Sequence, residues 1–135
     1  MISPDIAAQL RDSGVRWRPV SGDSFVINRE GFDGEVFVVS NMTIESHEFE
    51  TGTILGFNGT TEWALDSVAI EDALWLPHEN QLRELLGGTF RGLTQTDSGF
   101  SVAFRVHGEP QTVEATDAAD AYAMALLALV RSAVL

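Results

Sequence analysis

The residues best suited to binding lie in two short stretches, residues 58–63 and 75–78. Two tryptophans beside amide, carboxylate and imidazole groups can form a recognition surface, because an indole offers a large apolar area and one N–H donor. The alternative is that both tryptophans pack in the core, which is the more common use of this residue in a small domain. The candidate binding residues are Asn58, Glu62, Trp63, Trp75 and His78.

Metal, nucleophile and cofactor chemistry find little support. His78-Glu79 begins like the helical zinc-protease motif, but Leu82 occupies the position of the second histidine, so we expect no metal and place His78 at the edge of an apolar helix face. No Gly-x-Ser-x-Gly elbow, P-loop or dinucleotide fingerprint occurs, and we expect no catalytic residue and no cofactor. A carboxylate-based site using Glu62 or Asp66 keeps a small enzyme as an alternative.

The charge of the chain excludes several classes of function. Its 135 residues include 8 arginines, no lysine, no cysteine and 20 acidic residues, for a net charge of -12. Such a balance argues against binding to nucleic acid or to an anionic membrane, and the missing lysine and cysteine exclude Schiff-base and thiolate chemistry. Ten acidic residues and no arginine lie between residues 32 and 82. This segment is either a solvated face or an acidic contact surface for a basic partner.

The length predicts one α+β domain over residues 1–135. The first residues lack the basic start and apolar run of a secretion signal, and the most apolar stretch, residues 121–130, is too short to span a bilayer. We therefore expect a cytoplasmic protein.

The first half of the chain predicts a helix followed by an antiparallel meander. The helix covers residues 4–13, with Ser3 as N-cap, Pro4 in the first position and Gly14 as the stop. Period-two spacing and turn residues then predict strands at 15–17, 24–27, 35–40, 43–50, 53–57 and 60–68. The apolar run Val36-Phe37-Val38-Val39 predicts a strand that is buried on both faces.

The second half predicts a helix, a second meander and a final helix. The middle helix covers residues 77–86, with Pro77 in its first position, and the meander covers residues 89–115, with its clearest alternation over Phe100–Val106. The last helix runs from the N-cap Thr116 or Asp117 towards Ala133 and is apolar nearly all round from Ala121. It packs either in its own core or against a second subunit. The predicted order is α-β(n)-α-β3-α.

Two stretches carry a resemblance to known proteins. GFNGTTEWALDS (residues 56–67) and ALWLPHENQLRELLG (residues 73–87) resemble a family of small actinobacterial proteins of unknown function, some of which are labelled pilus assembly proteins. The similarity continues to the helix at residues 117–129. The shorter pattern around residues 75–85 also resembles small bacterial and phage proteins of unknown function. The resemblance implies no catalytic residue, and the label implies a part in pilus assembly.

The order of elements is also similar to that of small acidic secretion-chaperone-like domains, which are typically dimers that bind a partner polypeptide. This is a likeness of fold, and fold alone does not determine function. We expect a non-enzymatic binding or accessory domain with a protein partner, or with self-association as a homodimer through the C-terminal helix. We expect no nucleic acid and no membrane as partners. A structural component of a larger assembly is a further alternative.

Overall fold

The computed structural model describes residues 1–40, 44–50, 52–57 and 67–133, and within these ranges it contains three α-helices and nine β-strands. The helices are α1 (Pro4–Asp12), α2 (Glu79–Leu86) and α3 (Ala118–Ser132). The strands are β1 (Ser24–Ile27), β2 (Val36–Val38), β3 (Ile44–Phe49), β4 (Gly52–Phe57), β5 (Ser67–Ala69), β6 (Ala73–Leu76), β7 (Phe90–Gln95), β8 (Phe100–Val106) and β9 (Glu109–Ala115). They form three antiparallel sheets with the orders β2-β1-β6, β3-β4-β5 and β7-β8-β9. The predicted α+β class and the order α-β(n)-α-β3-α are confirmed.

The chain divides into two compact units. Unit 1 comprises Met1–Arg16 and Pro77–Leu135, and it contains the three helices and the sheet β7-β8-β9. Unit 2 comprises Trp17–Leu76 and contains the other two sheets. The sequence predicts neither boundary, although the arginine-free acidic segment at residues 32–82 overlaps unit 2. The single domain over residues 1–135 stays a prediction.

The core of unit 2 draws on both of its sheets. Odd-numbered residues of β1 point into it, as the period of two along a strand requires, and β4 and β5 contribute one residue each. Trp17, Phe32 and Ile70 pack against the cluster from its border. The buried members are Phe25, Ile27, Phe37, Val39, Leu55, Val68 and Ala73.

Strand β2 departs from the sequence prediction. The run over residues 36–39 was expected to be buried on both faces, but only Phe37 and Val39 are buried, at 7 % and 4 % exposure. Val36 and Val38 are 45 % and 48 % exposed. The reason is that β2 is the edge strand of the sheet β2-β1-β6. A short run of apolar residues has no periodicity that would distinguish an edge strand from a central strand.

The predicted strand at residues 15–17 is wrong, since these residues form no strand. The Trp17 ring packs on Phe25, and its Nε1–H donates to Asp23 Oδ2. Strand β6 was not predicted, and its antiparallel pairing with β1 means that the first half is not a simple meander. Position 43 and residues 60–66 of the predicted strands lie outside the described residues.

Unit 1 is built around α3, which packs against α1, α2, β8 and β9. The predicted alternation in β8 is confirmed, since Val102, Phe104 and Val106 are buried while Arg105 is exposed. The first and last helices are also tied by a hydrogen bond from the Ser3 N–H to Asp120 Oδ1 at 2.7 Å. The buried residues of α3 are Ala119, Ala121, Tyr122, Ala123, Ala125, Leu126 and Leu127.

The apolar character of α3 is therefore accounted for within its own unit. Its 15 residues bury one face on the sheet and others on α1 and α2. Self-association through this helix stays a prediction. Among the described residues, no helix is both long enough and apolar enough to cross a membrane.

The predicted helix starts agree with the structure for α1 and α3. Pro4 opens α1, and Gly14 follows its end with a φ of +104°. The Asp117 side chain caps α3 by accepting from the Ala119 N–H at 2.8 Å. The predicted start of α2 is wrong: the helix begins at Glu79 and Pro77 lies before its N-cap.

Candidate functional site

The structure describes two of the five residues predicted to form a binding surface. Trp75 lies in β6 of unit 2, and His78 precedes α2 in unit 1. Asn58, Glu62 and Trp63 lie outside the described residues. The predicted surface as a whole therefore stays a prediction.

Trp75 belongs to an aromatic row on the inner face of sheet β2-β1-β6. It lies opposite Phe25, which in turn lies opposite Phe37, so three rings follow one another across the strands. Trp17 stacks on Trp75 with ring centroids 6.4 Å apart and planes 7° from parallel. The Trp75 Nε1–H is buried and has no hydrogen-bond partner within the described parts of the chain. Its position in this row supports the packing interpretation of Trp75.

Asp23 organises the turn before β1. Its side chain is buried, at 2 % exposure, and its Oδ2 accepts hydrogen bonds from Trp17 Nε1 at 2.9 Å and from the Val20 N–H at 3.0 Å. Its backbone carbonyl accepts from the Val39 N–H at 2.8 Å. A buried carboxylate is tolerated when such bonds replace its hydration, so Asp23 holds the turn and the end of β2 against β1.

His78 serves α2 as its N-cap. It forms a capping box with Gln81, in which the His78 N–H donates to Gln81 Oε1 at 2.9 Å. A capping box satisfies backbone donors that the first helical turn leaves without intrahelical partners. His78 is half-buried, and its place at the edge of an apolar helix face stays a prediction. The described residues include no group of three or more His, Asp or Glu side chains that could hold a metal ion.

The outer edge of β2 is the feature of unit 2 that sequence reasoning missed. The Asn28 N–H donates to the Asp72 carbonyl, so the even-numbered residues of β1 form hydrogen bonds with β6. The Val39 N–H donates to the Asp23 carbonyl, so the odd-numbered residues of β1 form hydrogen bonds with β2. Alternation along an antiparallel ladder then directs the N–H and C=O of Phe37 towards β1. Those of Val36 and Val38 point away from β1, and no described strand pairs with them.

Exposed apolar residues and acidic residues lie next to each other at this edge. Val36 and Val38 are each nearly half exposed, and Asp33 and Glu35, both exposed, lie directly before the strand. We call residues 33–38 the β2 edge. Unit 2 carries 11 acidic residues and 2 arginines, which gives -9, whereas unit 1 carries 9 acidic residues and 6 arginines, which gives -3.

Within the part of the chain that the structure describes, β2 has few of the usual protections of an exposed strand. Natural sheets block their edges with lysine, proline, bulges or covering segments, because an open row of N–H and C=O groups can pair with another chain. β2 is short, which is one such protection, but its two outward residues are valines and neither it nor the preceding acids include lysine or proline. No signal in the sequence distinguishes these valines from Phe37, apart from the two acidic residues before them.

Comparison of the chain with protein-family models, with curated proteins and with solved structures found no match. The resemblance of residues 56–67 and 73–87 to small actinobacterial proteins stays a prediction. The surfaces of the two units are therefore the basis for inferring function.

Proposed function

We propose that this protein is a non-enzymatic accessory domain, and that it binds an extended, basic segment of a partner polypeptide at the β2 edge. The proposal is supported by two properties that occur together in the same two residues. Val36 and Val38 combine exposed apolar side chains with backbone groups that point away from the sheet.

Binding at such an edge uses main-chain and side-chain contacts together. An extended segment adds a strand by hydrogen bonding to the N–H and C=O groups of Val36 and Val38, and its alternate side chains contact the two valines. Burial of apolar surface there contributes about 25 cal/mol per Å². Because the main-chain bonds are the same for any sequence, selectivity comes from the side chains.

Charge favours a basic partner segment. Asp33 and Glu35 lie at one end of the strand, and unit 2 has a net charge of -9. A field of this sign accelerates the approach of cationic segments and weakens with added salt. The same field opposes pairing of this edge with a second copy of the chain, since two units of -9 would repel.

The test uses a synthetic peptide of alternating lysine and valine, with alternating glutamate and valine as its charge-reversed counterpart. Titration into the full chain at low salt, followed by fluorescence anisotropy of a labelled peptide, should show saturable binding of the lysine peptide alone. Val38→Pro should abolish it, because proline removes the outward N–H of Val38 while leaving the bonds between Phe37 and β1 in place.

Val20→Thr is the matched control for Val38→Thr, because Val20 is an exposed valine of unit 2 outside β2. We expect Val38→Thr to weaken binding several-fold and Val20→Thr to leave it unchanged. Circular dichroism should show the same fold for all variants. Equal binding by Val38→Pro and the unaltered chain would refute strand addition, and equal binding of the two peptides would refute the charge argument. Peptide-independent dimerisation that Val38→Pro abolishes would assign the edge to a second copy.

A further inference from the structure

Three segments of unit 1 meet at one end of its sheet and line an open cleft. Because α3 begins directly after β9 and packs along it, the last turn of the helix returns to the β8–β9 turn. The segment that joins α2 to β7 lies at the same end. The cleft has a volume of about 580 Å³, which lies within the range of small-molecule sites.

The cleft is cationic within an acidic protein. Arg91, Arg105 and His107 line it, and none of the described residues that line it is acidic. Neither arginine forms an ion pair with a carboxylate of the described residues, although the chain has 20 acidic residues and only 8 arginines. Two arginine guanidinium groups and an imidazole are the side chains that proteins use to hold phosphate and carboxylate oxygens.

A β-bulge directs Arg91. The register passes from Phe90 opposite Phe104 to Gly92 opposite Ala103, which leaves Arg91 as the extra residue in β7. Bulges re-aim side chains and are common beside functional sites. Arg91 Nη1 donates to the carbonyls of Gly88 at 3.0 Å and Phe90 at 3.3 Å, which holds the side chain near its own loop. Its Nε–H and Nη2–H groups have no partner among the described residues.

A tight turn carries His107 to the cleft. His107 has a φ of +50° and Gly108 a φ of +80°, so the two-residue loop between β8 and β9 has the signs of a type I′ turn. His107 is the one residue other than glycine with a positive φ in the described chain. Asparagine is the usual first residue of such a turn. This chain has a histidine there instead, and that histidine lines the cleft.

The remaining residues that line the cleft form an apolar side and a polar side. Leu129, Val130 and Ala133 of the final helical turns form an apolar wall. The hydroxyl protons of Thr89 and Ser132 are donated to the carbonyls of Leu86 at 2.6 Å and Leu129 at 2.7 Å. The side-chain donors left for a ligand are therefore those of Arg91, Arg105 and His107.

The geometry points to a binding site for a small organic anion, whose phosphate or carboxylate group is held by Arg91, Arg105 and His107 while its apolar body contacts Leu129 and Val130. This site is independent of the β2 edge, since all of its residues belong to unit 1. It gives the protein a second ligand of opposite charge to the first.

The test is a chemical-shift titration of the full chain with phenyl phosphate and, in parallel, benzoate, which distinguishes the two acid groups. Inorganic phosphate lacks the apolar body and phenol lacks the charge. We expect saturable shifts at Thr89, Arg91, His107 and Gly108 with at least one aromatic anion, weaker binding of inorganic phosphate, and none of phenol. Shifts without saturation, or equal binding of phenol, would overturn the assignment.

Variants separate the site from the general charge of the chain. Arg91→Gln and Arg105→Gln should each weaken binding of the aromatic anion about tenfold or more, since each removes charge-assisted hydrogen bonds. Arg16→Gln makes the same change of net charge at an exposed residue outside the cleft and should alter affinity less than about twofold. Equal losses in all three variants would overturn the site.

His107→Asn tests the imidazole without disturbing the turn, because asparagine readily adopts a positive φ. Reduced affinity with unchanged or increased stability to urea would support a ligand role for His107. Unchanged affinity would refute the role of His107 in the proposed site. Since neither probe involves the lysine–valine peptide, failure here is distinguishable from failure at the β2 edge.

Discussion

The two units of this protein share one chain but differ in how charge is distributed over them. Unit 2 has a net charge of -9 and one of its two arginines, Arg29, is paired with Asp72 at 3.4 Å. Unit 1 has a net charge of -3, and Arg91 and Arg105 line a cleft whose described lining includes no acidic residue. A net charge of -12 therefore describes neither unit, because most of it lies in unit 2 while unit 1 has a cleft lined by two arginines and a histidine.

The largest expected effect comes from breaking the core of unit 2 alone. Phe25 is fully buried between its sheets, and Phe25→Ala should lower the free energy of unfolding by about 3–5 kcal/mol. All three tryptophans lie in unit 2 and all three described helices in unit 1, so tryptophan fluorescence and helical circular dichroism report on different units. We expect the fluorescence transition in urea to shift more than the dichroism transition.

Phe104→Ala is the counterpart in unit 1, where Phe104 is 1 % exposed in β8. It should shift the dichroism transition further than the fluorescence transition. If both probes moved together in both variants, the chain would unfold as one cooperative domain and the division into units would have no thermodynamic meaning.

Asp23 sharpens the comparison within unit 2. Asp23→Ala leaves the Trp17 Nε1–H and the Val20 N–H without their carboxylate acceptor, and we expect a loss of about 1–3 kcal/mol. The fluorescence transition in urea measures it. Asp33→Ala removes the same charge from an exposed position and should change stability little, so a matching loss in this control would contradict the buried role of Asp23.

Asp117 gives a smaller effect in unit 1. Its carboxylate caps α3, and Asp117→Ala should cost about 1 kcal/mol in the dichroism transition. Asp120→Ala is a comparison variant from the first turn of the same helix, whose carboxylate accepts from Ser3 rather than from α3 itself. A stable Asp117→Ala protein with an unshifted transition would contradict the capping role.

The smallest effect is the pH dependence of that carboxylate. Partial burial raises the pKa of Asp117, but hydrogen bonds from the N-terminal ammonium and from the Ala119 N–H, together with the positive charge of the ammonium, lower it below 3.8 overall. A folded pKa below the unfolded one contributes stability above the unfolded pKa, and this contribution is lost as pH falls through the folded pKa.

The stability difference between the unaltered chain and Asp117→Asn should therefore be present at neutral pH and shrink below about pH 4. Because the Asp117 side chain is 42 % exposed, the difference should be small. Urea unfolding of both proteins at neutral and acidic pH measures it. A difference that grew on acidification would contradict the direction of the pKa shift.

Local signals explain what could be predicted from the sequence. Helix α3 and strand β8 follow from periodicity and a cap, which are set by neighbours in the chain. The exposure of Val36 and Val38 depends instead on β6 returning to pair with β1, and no local pattern specifies that pairing. The cleft depends on three distant segments and on a bulge at Arg91, although His107-Gly108 resembles the asparagine–glycine pair of a tight hairpin and gives one local signal.

The hydrogen bond between Ser3 and Asp120 has a consequence for the order in which the chain acquires structure during synthesis. Unit 2 is complete at Leu76, whereas α1 contacts a helix that begins more than a hundred residues after it. At ribosomal rates of about 5–20 residues per second, roughly 6–23 s separate the emergence of Ser3 and Asp120, which are 117 residues apart. Helix α1 therefore lacks its contacts with α3 throughout the synthesis of unit 2, and it is among the last elements to reach its final contacts.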